Sequence, residues 1–152
     1  LSRRQRQMCI RDSVKVVQCK AVEELVRNSD IICTTTPSTT PVLPDDKELL
    51  RGKCIIAIGS YMPEMREIPD AVLDLVDNVY IELPYACEES GDLSQPLASG
   101  KLTKDRVKLM HEYLVSGEKE IKEGQTTYFK SVGMGLFDVC IAQKLYEVAK
   151  EK

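Results

Sequence analysis

Three short stretches of this chain end apolar runs in residues that could hold a small ligand. In "DIICTTTP" the run closes on Thr34, Thr35 and Thr36, whose hydroxyls can hydrogen-bond a ribose or a carboxamide. The same threonines also suit a β-strand stopped by Pro37, where branching alone would select them. In "KCIIAIGSYMPEMREI" the run closes on Gly59, which lacks a Cβ and lets another group approach the backbone closely. Tyr61 follows, a phenol that can donate a hydrogen bond or simply wall a pocket. In "TTYFKSVGMGLFD", Ser131-Val132-Gly133 precede a helical pattern, so free N–H groups and a positive helix end would face this turn. Such a turn can seat a carboxylate or carboxamide, or Ser131 can act as an ordinary N-cap. Arg66 and Glu67 read as a local surface pair without chemistry, and Glu89 and Asp92 of "ESGD" as residues that could cap a turn.

The elements that must position these residues alternate in type. "AVEELVRNS" (21–29) has helical spacing, and "DIICTTT" (30–36) reads as a buried strand. "DKELLRG" (45–52) suits a short helix closed by Gly52, and "KCIIAIG" (53–59) the next strand. "PDAVLDLVD" (69–77) is a helix with proline at its start, followed by the strand "NVYIEL" (78–83). Strands alternating with helices imply βαβ units and a parallel sheet, with ligands at the carboxyl ends of the strands. From about residue 84 the stretch "YACEESGDLSQPLASGKL" is punctuated by Gly and Pro. "KDRVKLMHEYLVSGE" (104–118) has the pattern of an amphipathic helix that carries the lone His111 at its surface. A strand over 126–133 and a long final helix with one apolar stripe complete the chain. The expected fold class is α/β: an incomplete Rossmann-like parallel sheet flanked by helices, with a C-terminal strand and long helix. The strands near 31–35, 54–58 and 79–82 should be parallel neighbours. The last helix should bury Phe137, Ile141 and Leu145.

A chain of 152 residues with 43 % hydrophobic and 30 % charged residues has room for one domain with a real core. Its net charge of −3 and the absence of a charged block in its body argue against nucleic acid or a membrane surface as partner. The sequence contains neither a transmembrane run nor a signal-peptide pattern. Six cysteines without a CxxC spacing, beside a single histidine, make a metal site improbable and point to reduced thiols in a cytoplasmic protein. Residues 1–13, "LSRRQRQMCIRDS", show no periodicity. "MCIRDS" equals the translated end of a transposase sequencing adapter, so this stretch is expected to be an artefactual or disordered tail. A native basic tail is the alternative.

Together, "DIICTTTPSTTPVL", "GKCIIAIGSYMPEMREI", "ESGDLSQPL" and "TYFKSVGMGLFD", in this order and spacing, resemble the ornithine cyclodeaminase/mu-crystallin family over about residues 14–150. The resemblance implies an NAD(P)-binding Rossmann domain, a substrate domain built from both chain ends, and a homodimer. It places Thr36, Pro37, Ile58, Gly59, Ser60 and Ser131 at the cofactor, and Glu89, Val132 and Gly133 at substrate. It also matches Asp138 to an acid of the last helix, with Phe137 where a glutamate often stands. The family's first substrate-domain half, with its Arg and Lys groups for the substrate carboxylate, and its G-x-G-x-x-A phosphate loop have no counterpart in this sequence. Residues 14–152 thus correspond to the second half of a dinucleotide fold plus the C-terminal segment of the substrate and dimerisation domain. The choice between NAD and NADP falls in the missing part.

Tyr61 falls where ornithine cyclodeaminases carry a catalytic aspartate. A phenol is a poor general base at neutral pH, but it can donate a proton towards an imine. The expected parent is therefore an NAD(P)-dependent oxidoreductase acting on the C–N or C=N bond of a small amino or imino acid, with Tyr61 near the reacting atoms. Ornithine cyclodeaminase itself is one alternative. A non-catalytic ligand-binding protein of the mu-crystallin kind is the other.

Overall fold

The computed structural model describes residues 15–116 and 121–150. The stretch 1–13, expected to be an artefactual or disordered tail, lies outside the described residues together with residue 14.

Chain order runs α1 (Val22–Arg27), β1 (Ile31–Thr34), α2 (Lys47–Leu50), β2 (Cys54–Ala57), α3 (Asp70–Leu75) and β3 (Val79–Ile81). It continues with α4 (Ala86–Glu89), α5 (Gly91–Ser99), a 3₁₀ turn (Lys104–Arg106), β4 (Val107–Leu109), α6 (Met110–Ser116), β5 (Thr127–Lys130) and α7 (Gly135–Lys150). Short helices in this order need outside anchoring, and acidic side chains supply it. Asp46 Oδ1 accepts from the N–H groups of Glu48 and Leu49 at the start of α2. Asp45 reaches 26 residues onward to accept from Ala71 N in the first turn of α3.

Five strands form one wholly parallel sheet in the order β1-β2-β5-β3-β4. The strands near 31, 54 and 79 are parallel as expected, but only the first two are neighbours. The late strand β5 enters between β2 and β3 and becomes the middle of the sheet. Its sequence, Thr-Tyr-Phe-Lys, alternates apolar groups on both faces, which suits a central position.

The expected helix at 104–118 is also different. Val107 and Leu109 register against Val79 and Ile81 as edge strand β4, and among the described residues the helix covers only Met110–Ser116. Pairing with an existing apolar strand outweighs helical periodicity here, and Arg106 fixes the entry. Its guanidinium donates to the carbonyls of Leu73 and Val76 at 2.6 Å and of Asp77 at 3.1 Å, satisfying the exposed end of α3. The Gly/Pro-punctuated stretch from 84 is not loop but the helices α4 and α5, with Gly100 in the left-handed region as the stop of α5.

The core lies on one face of the sheet. Ile32, Ile55, Val79, Ile81 and Tyr128 pack there with Leu50, Val72, Leu73, Leu93 and Leu102. The opposite face is thinly covered. Ile31 is 66 % exposed, and Cys33 beside it is exposed as well. The final helix does not bury its stripe: Phe137, Ile141 and Leu145 are 43, 61 and 65 % exposed. Helical spacing correctly placed these residues on one helix, but no element among the described residues covers them. An open apolar stripe and two sheet edges are association surfaces. We therefore expect the isolated chain to self-associate at micromolar concentration in sedimentation velocity. A sharp monomeric boundary across that range would refute this.

Candidate functional site

Register brings four loops to one edge. Thr34, Ala57, Lys130, Ile81 and Leu109 stand side by side across the sheet, so the chain leaves β1, β2, β5 and β3 at one level. Thr36-Pro37, Ile58 to Tyr61, Ser131 to Gly133 and Glu82 all follow directly. This is the carboxyl edge, where parallel α/β sheets bind ligands.

The first two loops are tied together by Glu67. Its carboxylate is fully buried and accepts from Thr34 Oγ1 (2.8 Å), Thr36 N (2.5 Å), Thr36 Oγ1 (2.8 Å) and Gly59 N (2.8 Å). The expected surface pair of Arg66 and Glu67 does not exist. Arg66 bonds Asp70 instead, and Glu67 turns inward because four donors at two strand ends need an acceptor. Gly59 is required by this packing: a Cβ there would overlap the backbone N and O of Thr36. Its missing side chain thus serves contact between the two loops. Ser60 is buried too, its hydroxyl bonding Met65 O and Ser90 Oγ, each at 2.8 Å. Ile58 and Tyr61, 43 and 48 % exposed, are the side chains that this loop leaves open.

A second acid continues the network. Asp92 does not cap α5; Ser90 does, accepting from Asp92 N. The Asp92 carboxylate instead accepts from Glu67 N (2.7 Å) and Ile68 N (3.0 Å). Lys130, at the end of the central strand, is wholly buried, with Nζ 3.7 Å from Asp92 Oδ2 and 3.4 Å from Ala57 O. Burial pushes the Asp92 carboxyl above the usual carboxylate range despite the two N–H donors and Lys130. Burial likewise pushes the Lys130 ammonium down, against the pull of Asp92, Glu67 and Glu82. Both partners shift towards their neutral forms, so desolvation outweighs their attraction. Glu89 closes α4, half-buried and apart from this network in its hydrogen bonding.

The turn 131–133 holds an anion, but the anion is the protein's own. Glu82 Oε1 accepts from Ser131 Oγ (2.9 Å), Val132 N (2.6 Å) and Gly133 N (2.9 Å). Gly133 has φ +91°, which turns its N–H inward and favours glycine. The expected helix end plays no part, since α7 starts only at Gly135, and Ser131 caps no helix. The turn gathers N–H donors as the sequence suggests, and an internal carboxylate engages them.

Sequence reasoning missed Glu67, Glu82, Asp92 and Lys130 as site organisers. One signal was available: Lys130 lies two residues after Tyr128, on the same face of a strand. The burial of that tyrosine implies a buried lysine. His111 is exposed on α6, as expected. Among the described residues no group of His, Cys, Asp and Glu could hold a metal ion, and the cysteines are free. No helix among them is long and apolar enough to cross a membrane.

The chain is 37 % identical over 136 residues to a delta(1)-pyrroline-2-carboxylate reductase of Bacillus cereus, covering 88 % of this chain and 41 % of that protein. It is 33 % identical over 129 residues to the ketimine reductase mu-crystallin of Rattus norvegicus, covering 85 % and 39 %. The chain thus spans about two fifths of the length of these relatives. Among solved structures, a probable ornithine cyclodeaminase from Bordetella pertussis superposes with a TM-score of 0.78 at 28 % identity, covering all of this chain and 49 % of the other. The delta(1)-pyrroline-2-carboxylate reductase of Thermococcus litoralis, solved with NADH and L-proline, shares the fold at a TM-score of 0.78 and 22 % identity. The sequence profile of the ornithine cyclodeaminase/mu-crystallin family matches residues 2–152, and the chain belongs to that family.

Proposed function

We propose that this chain is the C-terminal part of an NAD(P)-dependent oxidoreductase that reduces the C=N bond of a small imino acid, or runs the reverse reaction on an amino acid. The observation that carries this reading is the open Tyr61 beside a carboxyl edge whose backbone donors are engaged by the buried acids Glu67, Glu82 and Asp92. Similarity to a pyrroline-2-carboxylate reductase and a ketimine reductase supports it. Residues 14–152 form the second half of the dinucleotide domain and a segment of the substrate domain of a cytoplasmic, homodimeric parent. The free cysteines are in keeping with a reducing compartment.

The edge fits one end of a dinucleotide and not the other. Pro37 and the open side of Ile58 can flank a nicotinamide, with Thr36, Gly59, Ser60 and Ser131 behind them as the frame. A glycine loop for the pyrophosphate is absent from the sequence. When bound, the cofactor supplies or accepts a hydride. Tyr61 Oη donates the proton that the imine nitrogen gains on reduction. Glu89, Val132 and Gly133 border the substrate side, although the N–H groups of the last two are engaged by Glu82.

Ornithine cyclodeamination requires a carboxylate that moves protons at neutral pH, and general-base catalysis contributes about 10²–10⁴-fold. With the upstream half restored, the enzyme should reduce a cyclic ketimine with NAD(P)H and release ammonia from ornithine slower by about that factor than an enzyme with aspartate at position 61. Tyr61→Asp should raise the ornithine rate. An ammonia-release assay on the restored wild type decides: vigorous ornithine turnover would establish the cyclodeaminase reading instead. Absence of any imine reduction, with ligand still bound, would establish a binding protein of the mu-crystallin kind.

A further inference from the structure

We infer that Glu82 is a ligand-binding residue that takes an N–H donor, such as a protonated ring nitrogen or an amide, through its second carboxylate oxygen. Two observations meet here. Glu82 is 6 % exposed, and while Oε1 accepts three hydrogen bonds, the equally buried Oε2 has no hydrogen-bond partner among the described residues. A buried acceptor left unpaired costs free energy, and a ligand donor relieves that cost. Glu82 also stands in the wall of a cleft of about 340 Å³ whose other walls, among them Leu114, Phe129, Met134 and Phe137, are nearly all apolar. His111 is the other ionisable member of that wall. A buried carboxylate oxygen in an otherwise apolar cleft selects a small apolar body with a polar N–H, not an anion.

The three donors of the 131–133 turn hold Oε1 and so fix the carboxylate's orientation, leaving Oε2 as the unpaired acceptor of a residue in the cleft wall. A ligand carboxylate is excluded from this turn, because it would have to displace Glu82 and bury a second negative charge beside it. For the imino acids of the proposed function, on which this assignment of substrate end rests, the nitrogen end faces Glu82 once it carries the proton that Tyr61 Oη supplies. The carboxylate end faces away.

The test uses this chain in amide-resolved NMR titrations with three probes of similar size: pyrrolidinium chloride, nicotinamide and cyclopentanecarboxylate. Pyrrolidinium, nicotinamide or both should shift the Ser131, Val132 and Gly133 amides saturably, and cyclopentanecarboxylate should not. Preference for pyrrolidinium identifies a charged ring nitrogen as the group received; preference for nicotinamide identifies the cofactor's amide. Glu82→Gln keeps an acceptor for the three donors but turns Oε2 into a donor, so it should weaken binding roughly tenfold or more while retaining the spectrum of the folded chain. Saturable binding of the carboxylate at these amides, or no saturable binding of either nitrogen probe, overturns the inference from wild-type data alone. Neither result touches the imine-reduction reading, which is measured on the restored enzyme.

Discussion

Glu67→Ala unfolds at markedly lower urea than the wild-type chain, a loss of about 3–5 kcal/mol when followed by circular dichroism at fixed chain concentration. The carboxylate is the sole acceptor shown for Thr36 N and Gly59 N and bonds both threonine hydroxyls. Hydroxyls can turn to other partners, but backbone N–H groups cannot. Thr36 and Gly59 are half-buried, each donor orphaned there costs about 1–3 kcal/mol, and the vacated volume of the buried Glu67 side chain adds a cavity. Glu67→Gln should fall between, since its amide keeps one accepting oxygen and aims a donor at the remaining donors. Amide exchange at Thr36 and Gly59 should quicken in both variants more than at Ile55 in the core. A loss under about 1 kcal/mol for the alanine variant would mean that these donors find other acceptors.

Lys130→Met has the second large effect, and its pH dependence carries the information. Removing one partner of a buried pair typically costs about 3–5 kcal/mol, because the other charge stays behind uncompensated. Here that charge is Asp92, whose carboxyl burial already holds above its ordinary range. A carboxyl with a raised folded pKa binds its proton more tightly folded than unfolded. Its favourable contribution is present at low pH and is lost as pH rises through the folded value. Lys130 has the opposite shift, so its ammonium costs stability below its lowered value, and that cost disappears as pH rises towards its ordinary 10.5. Without Lys130 the Asp92 carboxyl moves further up. The gap between wild type and Lys130→Met should therefore be small near pH 4 and widen towards pH 7. Adding Asp92→Asn to Lys130→Met should recover much of the loss, because asparagine keeps an acceptor for Glu67 N and Ile68 N without a charge. A gap independent of pH would show that the methionine variant suffers only from altered packing.

Much of this protein follows from local chemistry. Runs such as Ile31 to Thr34 and Cys54 to Ala57 become strands because branched apolar residues are bounded by proline and glycine. Their alternation with helices implies a parallel sheet, and the threonine, Gly59 and Ser131 turns stand at its carboxyl edge, where parallel sheets bind ligands. What tertiary structure decided is where distant pieces meet. The late strand β5 takes the middle of the sheet, which no local pattern records, since pairing energy depends on the exposed edges of strands already formed. That placement buries Lys130 against Asp92 and brings Glu82 to the 131–133 turn, 49 or more residues away in sequence. Val107 and Leu109 become strand because Val79 and Ile81 offer them an edge. Glu67 reads as surface in sequence because acids usually are. It is buried because two strand ends, Thr34 and its register partner Ala57, converge with unpaired N–H groups just beyond them, and only the assembled sheet creates that demand for an acceptor.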